Sequence, residues 1–475
     1  MNIIFGTDGW RGLLDSEVNE ETVALVAQAF ADYCNIKFVN PKVAIAFDGR
    51  RNSNEFASLF AKVLSGNSIN VILSNNIIPT PVLSYTVKNN NLDAGVMITA
   101  SHNPGKYNGI KFKGSYGGPF LTEETYKVEK LIGKSEIKKS ELYIVTTDLI
   151  PNYIKQLNKL VDFKLIADSG LNILVDSMAG AGQTLIQEIL AISGCKASTI
   201  YGEAKIDFDG RLAEPIEKNL TFLSDILKND DSYSFGLATD GDADRLGVIL
   251  DNGEWLSAQE TILLLADFIT NIKGQNGDLV KTSSVTDIFS TYFKSPTRHV
   301  HDVQVGFKYI CEKMIETNIA FGAEESGGYG YGKHIPERDG ILSALYMLEM
   351  LAFSGFKKLS EYRNKKRKEF GVVFYDRIDF EYLNNDRIDK LPNLFINQPK
   401  QIADINIQKT ETFLSSRGII NGLKFILEGT QRWVLMRSSE TEPLVRIYAE
   451  GQSAEEVKLF LTFCKYLIIQ GERND

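Results

Sequence analysis

Hydrophobic positions along the chain gather into short apolar runs bounded by polar or glycine-containing turns, alternating with stretches whose apolar residues recur at helical spacing. From Pro41 onward the runs Val43–Phe47, Val71–Leu73 and Ala94–Thr99 predict buried strands. Between the first two, Glu55–Leu64 predicts an amphipathic helix, with Asn52 and Glu55 spaced as a capping box. The pattern restarts at Leu171–Asp176, passes Gly180 and Gly182 into a helical stretch, and closes with strands Phe235–Thr239 and Leu246–Leu250 around an acidic turn. A third round runs from helix-like Ala258–Thr270 through Leu279–Thr282 and Ile319–Gly322 to Gly340–Phe353, with a Gly-rich turn inside it. Such alternation implies an α/β class, with sheets covered by helices.

The charged segment Arg363-Asn364-Lys365-Lys366-Arg367-Lys368-Glu369 reads as a solvated helix end or linker and marks a boundary. Beyond it, strand-like Leu423–Leu427, Trp433–Met436 and Leu444–Tyr448 precede helix-like Ala454–Leu467, an α+β order. The expected division is therefore three α/β domains, 1–150, 151–253 and 254–365, followed by a smaller α+β domain, 366–475. No internal repeat or low-complexity tract stands out.

Composition narrows the class. A 475-residue chain that is 43% hydrophobic can bury several cores. Its net charge of −9 argues against wholesale nucleic-acid binding while leaving room for a local basic site for a small anion. No stretch reaches the roughly 18 apolar residues of a membrane span, and Met1–Gly6 lacks the pattern of a secretory leader, so a cytoplasmic location is expected. Cys34, Cys195, Cys311 and Cys464 are widely separated, form no C-x-x-C pair and sit among apolar residues, which predicts free, buried thiols.

Four segments carry candidate chemistry. In Thr99-Ala100-Ser101-His102-Asn103-Pro104, Pro104 disfavours helix at Asn103 and Gly105 permits unusual dihedrals. Ser101 is thus expected on a tight loop at the C-terminal edge of a strand, where α/β sheets place active sites. Taken alone, the segment reads more readily as an ordinary turn whose serine caps its own backbone.

Asp240-Gly241-Asp242-Ala243-Asp244-Arg245 puts three carboxylates at alternate positions between two apolar strands, a repulsive arrangement without a cation. An EF-hand would need Gly at the sixth loop position and Glu at the twelfth, where this chain has Arg245 and Asp251. The setting instead suits a Mg²⁺ ion left partly open to a phosphate oxygen, with Arg245 beside the phosphoryl group.

Gly322-Ala323-Glu324-Glu325-Ser326-Gly327-Gly328-Tyr329-Gly330 sets carboxylates and a hydroxyl among glycines, which suits the gripping of sugar hydroxyls, and nearby His334, Arg338 and Asp339 could add contacts, with His334 and Arg338 expected among the substrate-binding residues. Arg437-Ser438-Ser439-Glu440-Thr441-Glu442-Pro443, with Arg446 beyond, offers hydroxyls, backbone N–H groups and guanidinium for a phosphate dianion. The absence of G-x-x-x-x-G-K-[ST] and of G-x-S-x-G removes the triphosphate loop and the α/β-hydrolase elbow. Arg11, in Gly6-Thr7-Asp8-Gly9-Trp10-Arg11-Gly12, and Lys111 supply cations that would neutralise a charged group on Ser101.

In order along the chain, these segments resemble the signatures of the α-D-phosphohexomutase family, and the likeness spans nearly the whole length. Thr99–Pro104 matches its phosphoserine loop, Asp240–Arg245 its metal loop, Glu324-Glu325-Ser326-Gly327 its sugar loop and Arg437–Pro443 its phosphate loop. The resemblance implies four domains around a central cleft and an intramolecular phosphotransferase working on hexose phosphates. It implies that Ser101 is phosphorylated and that Asp240, Asp242 and Asp244 bind one Mg²⁺ together with a phosphoserine oxygen. Lys111 and His102 match acid/base and charge-stabilising positions, and Arg11 and Arg245 match residues around the phosphoserine. Glu324 and Ser326 would hold sugar hydroxyls, and Arg437, Ser438, Ser439 and Thr441 the non-reacting phosphate. A hexose 1,6-bisphosphate, such as glucose 1,6-bisphosphate, would be the intermediate and activator, and the assembly a monomer or homodimer.

The sugar loop departs from two common forms. Phosphoglucosamine mutases usually carry Glu-Gln-Ser-Gly-His and bifunctional members often Glu-Met-Ser-Gly-His, where this loop has Gly328 in place of the His. Glu-Glu-Ser resembles the glucose-selective members, so glucose phosphates are expected, mannose phosphates are admitted, and glucosamine phosphate is the alternative. Glu440 and Glu442 make the phosphate loop more acidic than its usual forms. Two rival readings are a metal-dependent sugar phosphatase with Asp240 as nucleophile, and a sugar-phosphate-binding protein without turnover.

Overall fold

Strands Lys42–Phe47, Asn70–Ser74 and Ala94–Ile98 pair in parallel, as buried apolar runs joined by helical crossovers do. The computed structural model, which describes residues 3–6, 8–382, 387–415, 418–438 and 444–470, extends them into a six-stranded sheet. Ile144–Thr147 joins one edge in parallel, while Tyr107–Gly114 and then Trp10–Leu13 join the other antiparallel. Helices Glu20–Lys37 and Ser53–Gly66 cover it, and Phe30 stacks on Phe112 of the sheet at 4.4 Å between ring centres. The capping box expected at Asn52 does not form. Asn52 takes a left-handed backbone with φ 65°, a conformation Asn tolerates, and its side chain accepts no cap hydrogen bond.

The second sheet runs Trp255–Leu256, Leu246–Leu250, Phe235–Thr239, Asn172–Asp176, Lys196–Ile200, parallel among the last three and antiparallel among the first three. A third α/β layer contains the hairpin Ile319–Glu324/Gly328–Tyr331 and helix Ala258–Asp267, which continues as a π-turn over Phe268–Ile272. Helix Gly340–Ser354 is buried around its whole circumference from Gly340 to Ala352, the fate of a helix apolar on every side.

Contacts group the chain into two compact units, 1–280 with 306–366, and 281–305 with 367–475. In the second unit Phe374–Glu381, Leu444–Gly451, Trp433–Ser438, Ile420–Leu427, Ile405–Leu414 and Gln401–Ile402 form one antiparallel sheet in that order, with helices Arg387–Ile396 and Ala454–Gln470. Buried Glu450 ties segment 281–305 to this sheet. It accepts hydrogen bonds from Thr286 Oγ1, from Asp287 N at 2.9 Å and from Trp433 Nε1 at 2.5 Å. All four cysteines are buried and free. Among the described residues no single helix is long and apolar enough to cross a membrane.

Candidate active site

Ser101 follows strand Ala94–Ile98 on the loop that returns as Tyr107–Gly114, and its backbone is left-handed, φ 53°, which is strained for a residue with a side chain. The buried Ser101 hydroxyl donates to Asp240 Oδ2 at 3.1 Å. The approach depends on Gly241, where a Cβ would stand 2.3 Å from the Ser101 carbonyl oxygen. Arg11 reaches the same loop, with Nη1 donating to Asn103 Oδ1 at 2.8 Å. His102 adjoins Ser101 and is half-buried.

Asp240, Asp242 and Asp244 sit in the turn between strands Phe235–Thr239 and Leu246–Leu250, all buried, each offering an oxygen within 4.8 Å of the others. Asp240 shapes the turn by accepting the Asp244 and Arg245 amides on Oδ1 at 3.0 and 3.1 Å. Thr80 holds Asp242 twice, through Oγ1 to Oδ2 at 2.6 Å and through its amide to the Asp242 carbonyl at 2.9 Å. Burial, then repulsion from Asp244 and Asp242, raises the Asp240 carboxyl well above its usual range. Asp242 Oδ1 and Asp244 Oδ1 are buried with no hydrogen-bond partner. Three hard oxygens, two of them orphaned, fit a small divalent cation such as Mg²⁺.

Two buried cations face the triad. Lys111 Nζ lies 2.8 Å from Asp242, 3.0 Å from Asp244 and 2.9 Å from Asp8. Burial works against the Lys111 charge, but Asp242, Asp244 and Asp8 outweigh it and raise its pKa above the ordinary lysine value. Arg338 donates through Nη2 to Asp244 at 2.7 Å and to Asp8, and through Nη1 to Glu324 at 3.2 Å. It therefore joins the metal loop to the sugar loop. Arg245 Nε lies 3.9 Å from both Asp240 Oδ2 and Asp244 Oδ1.

The sugar loop lies directly on the exit of the metal loop. Arg245 bridges Gly328, and the Leu246 amide donates to the Gly327 carbonyl at 2.9 Å. Gly327 has φ 87°, and a Cβ there would meet the Leu246 carbonyl oxygen at 2.6 Å, so this turn requires glycine. Ser326 Oγ donates to Glu324 Oε1 at 2.7 Å. His334 is held elsewhere, with Nε2 2.9 Å from Asp339 Oδ2 and its ring stacked on Tyr85. Asp339 is in turn the N-cap of helix Gly340–Ser354 and accepts from Tyr153, which gives His334 a structural setting.

Arg437 and Ser438 end strand Trp433–Ser438 of the second unit, and Arg437 stands opposite Arg446 in the register. Like charges directly opposite repel, and here Asp379, 3.4 Å from Arg446 Nε, offsets part of that. Such a guanidinium pair can receive an anion. Ser439, Glu440, Thr441, Glu442 and Pro443 lie outside the described residues.

Asp8, Thr80 and Arg50 are the residues in this site that motif reading passed over. Asp8 stands in the same dense turn as Arg11, but its partner Arg338 is 330 residues further along the chain, and its partner Lys111 lies on the strand paired with Trp10–Leu13, far away in sequence.

Four domain families match the chain, described as Phosphoglucomutase/phosphomannomutase alpha/beta/alpha domain I at residues 2–139, domain II at 151–253, domain III at 257–370 and the C-terminal domain at 390–462. A phosphoglucomutase/phosphomannomutase of Thermococcus kodakarensis is 29% identical over 466 residues, 97% of either chain. A phosphoglucosamine mutase of Methanocaldococcus jannaschii is 30% identical over 431 residues, 88% of this chain and 90% of its own. A crystal structure from Thermus thermophilus, assigned as a candidate phosphomannomutase, superposes with a TM-score of 0.85 at 32% identity over 99% of each chain.

Proposed function

The chain belongs to the phosphoglucomutase/phosphomannomutase family, and on that premise we propose that it interconverts hexose 1-phosphates and hexose 6-phosphates through a phosphate carried on Ser101. The observation that carries this reading is the 3.1 Å hydrogen bond from the Ser101 hydroxyl to Asp240, inside a buried triad with two orphaned oxygens.

In the proposed cycle the Ser101 phosphoryl group passes to the free hydroxyl of a hexose monophosphate; the bond from phosphorus to Ser101 Oγ breaks as the new one forms, the sugar hydroxyl gives up its proton and the departing Oγ takes one up. The hexose 1,6-bisphosphate turns over, and its other phosphoryl group returns to Ser101 Oγ, leaving the isomerised sugar phosphate. Asp240, Asp242 and Asp244 would hold Mg²⁺, which when bound supplies a Lewis acid for the phosphoryl oxygens. Lys111, with its raised pKa, acts as a fixed cation beside the transferring group. Arg11 and Arg245 add charge near the Ser101 loop, and His102 assists proton transfer. Glu324 and Ser326 present oxygens to sugar hydroxyls, while Arg437, Ser438, Ser439 and Thr441, with Arg446, take the idle phosphate. Such a site works by positioning and charge stabilisation, the general strategy of phosphoryl transfer.

For the sugar we favour glucose phosphates, with mannose phosphates accepted. A Cβ at Gly328 would lie 2.4 Å from Arg338 Cδ and 2.8 Å from Glu324 Oε1, so the histidine of the glucosamine-type loop would require both side chains to move, which supports the glucose reading. A phosphoglucosamine mutase is the second reading, supported by relatives of that name. Comparing kcat/KM for glucose, mannose and glucosamine 1-phosphates, with Mg²⁺ and a trace of the matching bisphosphate, decides between them. A glucosamine preference overturns the glucose reading; free phosphate without isomerised sugar overturns the mutase reading and favours a phosphatase.

A further inference from the structure

Arg50 lies just past the C-terminal edge of strand Lys42–Phe47, and its buried guanidinium spends every donor on the loop that carries Ser101 or on the group that anchors it. Nη2 donates to the carbonyls of Ser101 and Asn103, each at 2.6 Å. Nη1 donates to those of Pro104 at 3.0 Å and Tyr107 at 2.9 Å. Nε donates to Asp48 Oδ2 at 3.1 Å, so the five N–H groups of the fork have five acceptors. Asp48 Oδ2 also accepts from Thr99 Oγ1 at 2.6 Å, and that hydroxyl accepts the Ser101 amide at 2.9 Å, which closes the circuit on both sides of Ser101.

The guanidinium also lies 4.6 Å from the centre of the Phe208 ring. Phe208 packs where a Cβ of Gly241 would stand, at 3.0 Å, and Gly241 is the residue that lets the Asp240 loop reach the Ser101 carbonyl. Arg50 therefore touches the Ser101 loop in its plane and, through its face, the segment that abuts the Asp240 loop. A left-handed Ser101 persists only where its surroundings hold it, and a planar fork fixes four carbonyls in a way that a flexible ammonium cannot.

We infer that Arg50 is a positioning residue: with Asp48 it holds the Ser101 loop in its strained conformation, and with Phe208 it sets the distance from Ser101 Oγ to the Asp240 loop. The catalytic consequence rests on the reading of Ser101 as the phosphate carrier; the structural one does not.

The experiment compares Arg50→Lys and Phe208→Leu with the parent by steady-state kinetics on glucose 1-phosphate and by amide hydrogen exchange. Arg50→Lys lowers kcat about 100-fold, the scale of an ångström-sized misplacement, with KM within about threefold. Exchange at the Ser101, Asn103 and Tyr107 amides accelerates about tenfold or more in both variants, while strand Ala94–Ile98 keeps its protection. In Arg50→Ala, added guanidinium restores part of kcat and added ammonium does not. Unchanged loop exchange in the folded variants, or acceleration shared equally by the strand, overturns the proposal. Should Arg50→Lys fail to fold, exchange in Phe208→Leu decides. A parent that never phosphorylates Ser101 defeats the mutase reading and leaves the exchange result to judge the brace.

Discussion

The Lys111 ammonium stands 2.8 Å from Asp242 Oδ2, both side chains shut away from water. Asp242, Asp244 and Asp8 keep it charged against the cost of burial. Replacing it removes a cation from the place where charge shifts between oxygens. Lys111→Met is expected to lower kcat about 10²- to 10⁴-fold with a smaller change in KM, read by steady-state assay. An equal rise in KM with kcat intact would assign Lys111 to simple substrate binding.

Metal should add stability as well as activity, because the triad gathers three buried carboxylates and leaves Asp242 Oδ1 and Asp244 Oδ1 without hydrogen bonds. At a Mg²⁺ concentration 100 times Kd the gain is about 2.7 kcal/mol. Thermal unfolding with and without Mg²⁺ reads it, and Asp242→Asn should abolish most of the shift. An identical shift in the variant would place the ion elsewhere.

Acid should loosen the network through Asp8. Burial opposes its charge, but Arg338, Lys111, Lys113 and Arg11 together hold its carboxyl well below the usual carboxylate range. Its stabilisation is therefore full above the unfolded value of about 3.9 and is lost as pH falls through the lower folded value. Asp8→Asn should cost about 2 kcal/mol at neutral pH, the scale of a charged hydrogen bond. The gap to the parent should narrow only below about pH 4, as urea midpoints across that range would show. A gap that closes already at pH 5 to 6 would contradict the depressed carboxyl.

The local half of this site is legible in the sequence and the distant half is not. Ser101, the three aspartates and Glu324 stand in short runs that sequence reading singles out as candidates, and strands Phe235–Thr239 and Leu246–Leu250 are visible as apolar runs flanking a turn. Asp8, Thr80 and Arg50 act through partners far along the chain, and nothing in their flanking residues announces those partners. His334 and Arg338 carry both kinds of signal: their types suggest ligand contacts, and the structure also gives them internal partners, Asp339 and Tyr85 for the first, Asp244, Asp8 and Glu324 for the second. Strands Phe374–Glu381 and Ile405–Leu414 escape notice because none of their residues is fully buried and polar residues interrupt them, so no continuous apolar run announces them.

Gly241 tests how closely the two loops must meet. With its Cβ position 2.3 Å from the Ser101 carbonyl oxygen, Gly241→Ala must push the loops apart. The expected cost is about 1–3 kcal/mol of stability together with a loss of kcat of about 100-fold, read by urea unfolding and turnover on one preparation. Activity within a factor of a few of the parent would mean that the close approach is dispensable.

The most direct measurement follows phosphate onto Ser101. Incubating the protein with Mg²⁺ and glucose 1,6-bisphosphate labelled in its phosphates, then mapping the label by peptide mass, should place one phosphoryl group on Ser101. Added unlabelled glucose 1-phosphate should then carry it off as labelled bisphosphate, and Ser101→Ala should take up none and lose turnover. Label on Asp240, or a Ser101→Ala variant that isomerises sugar phosphates at near the parent rate, would contradict the account.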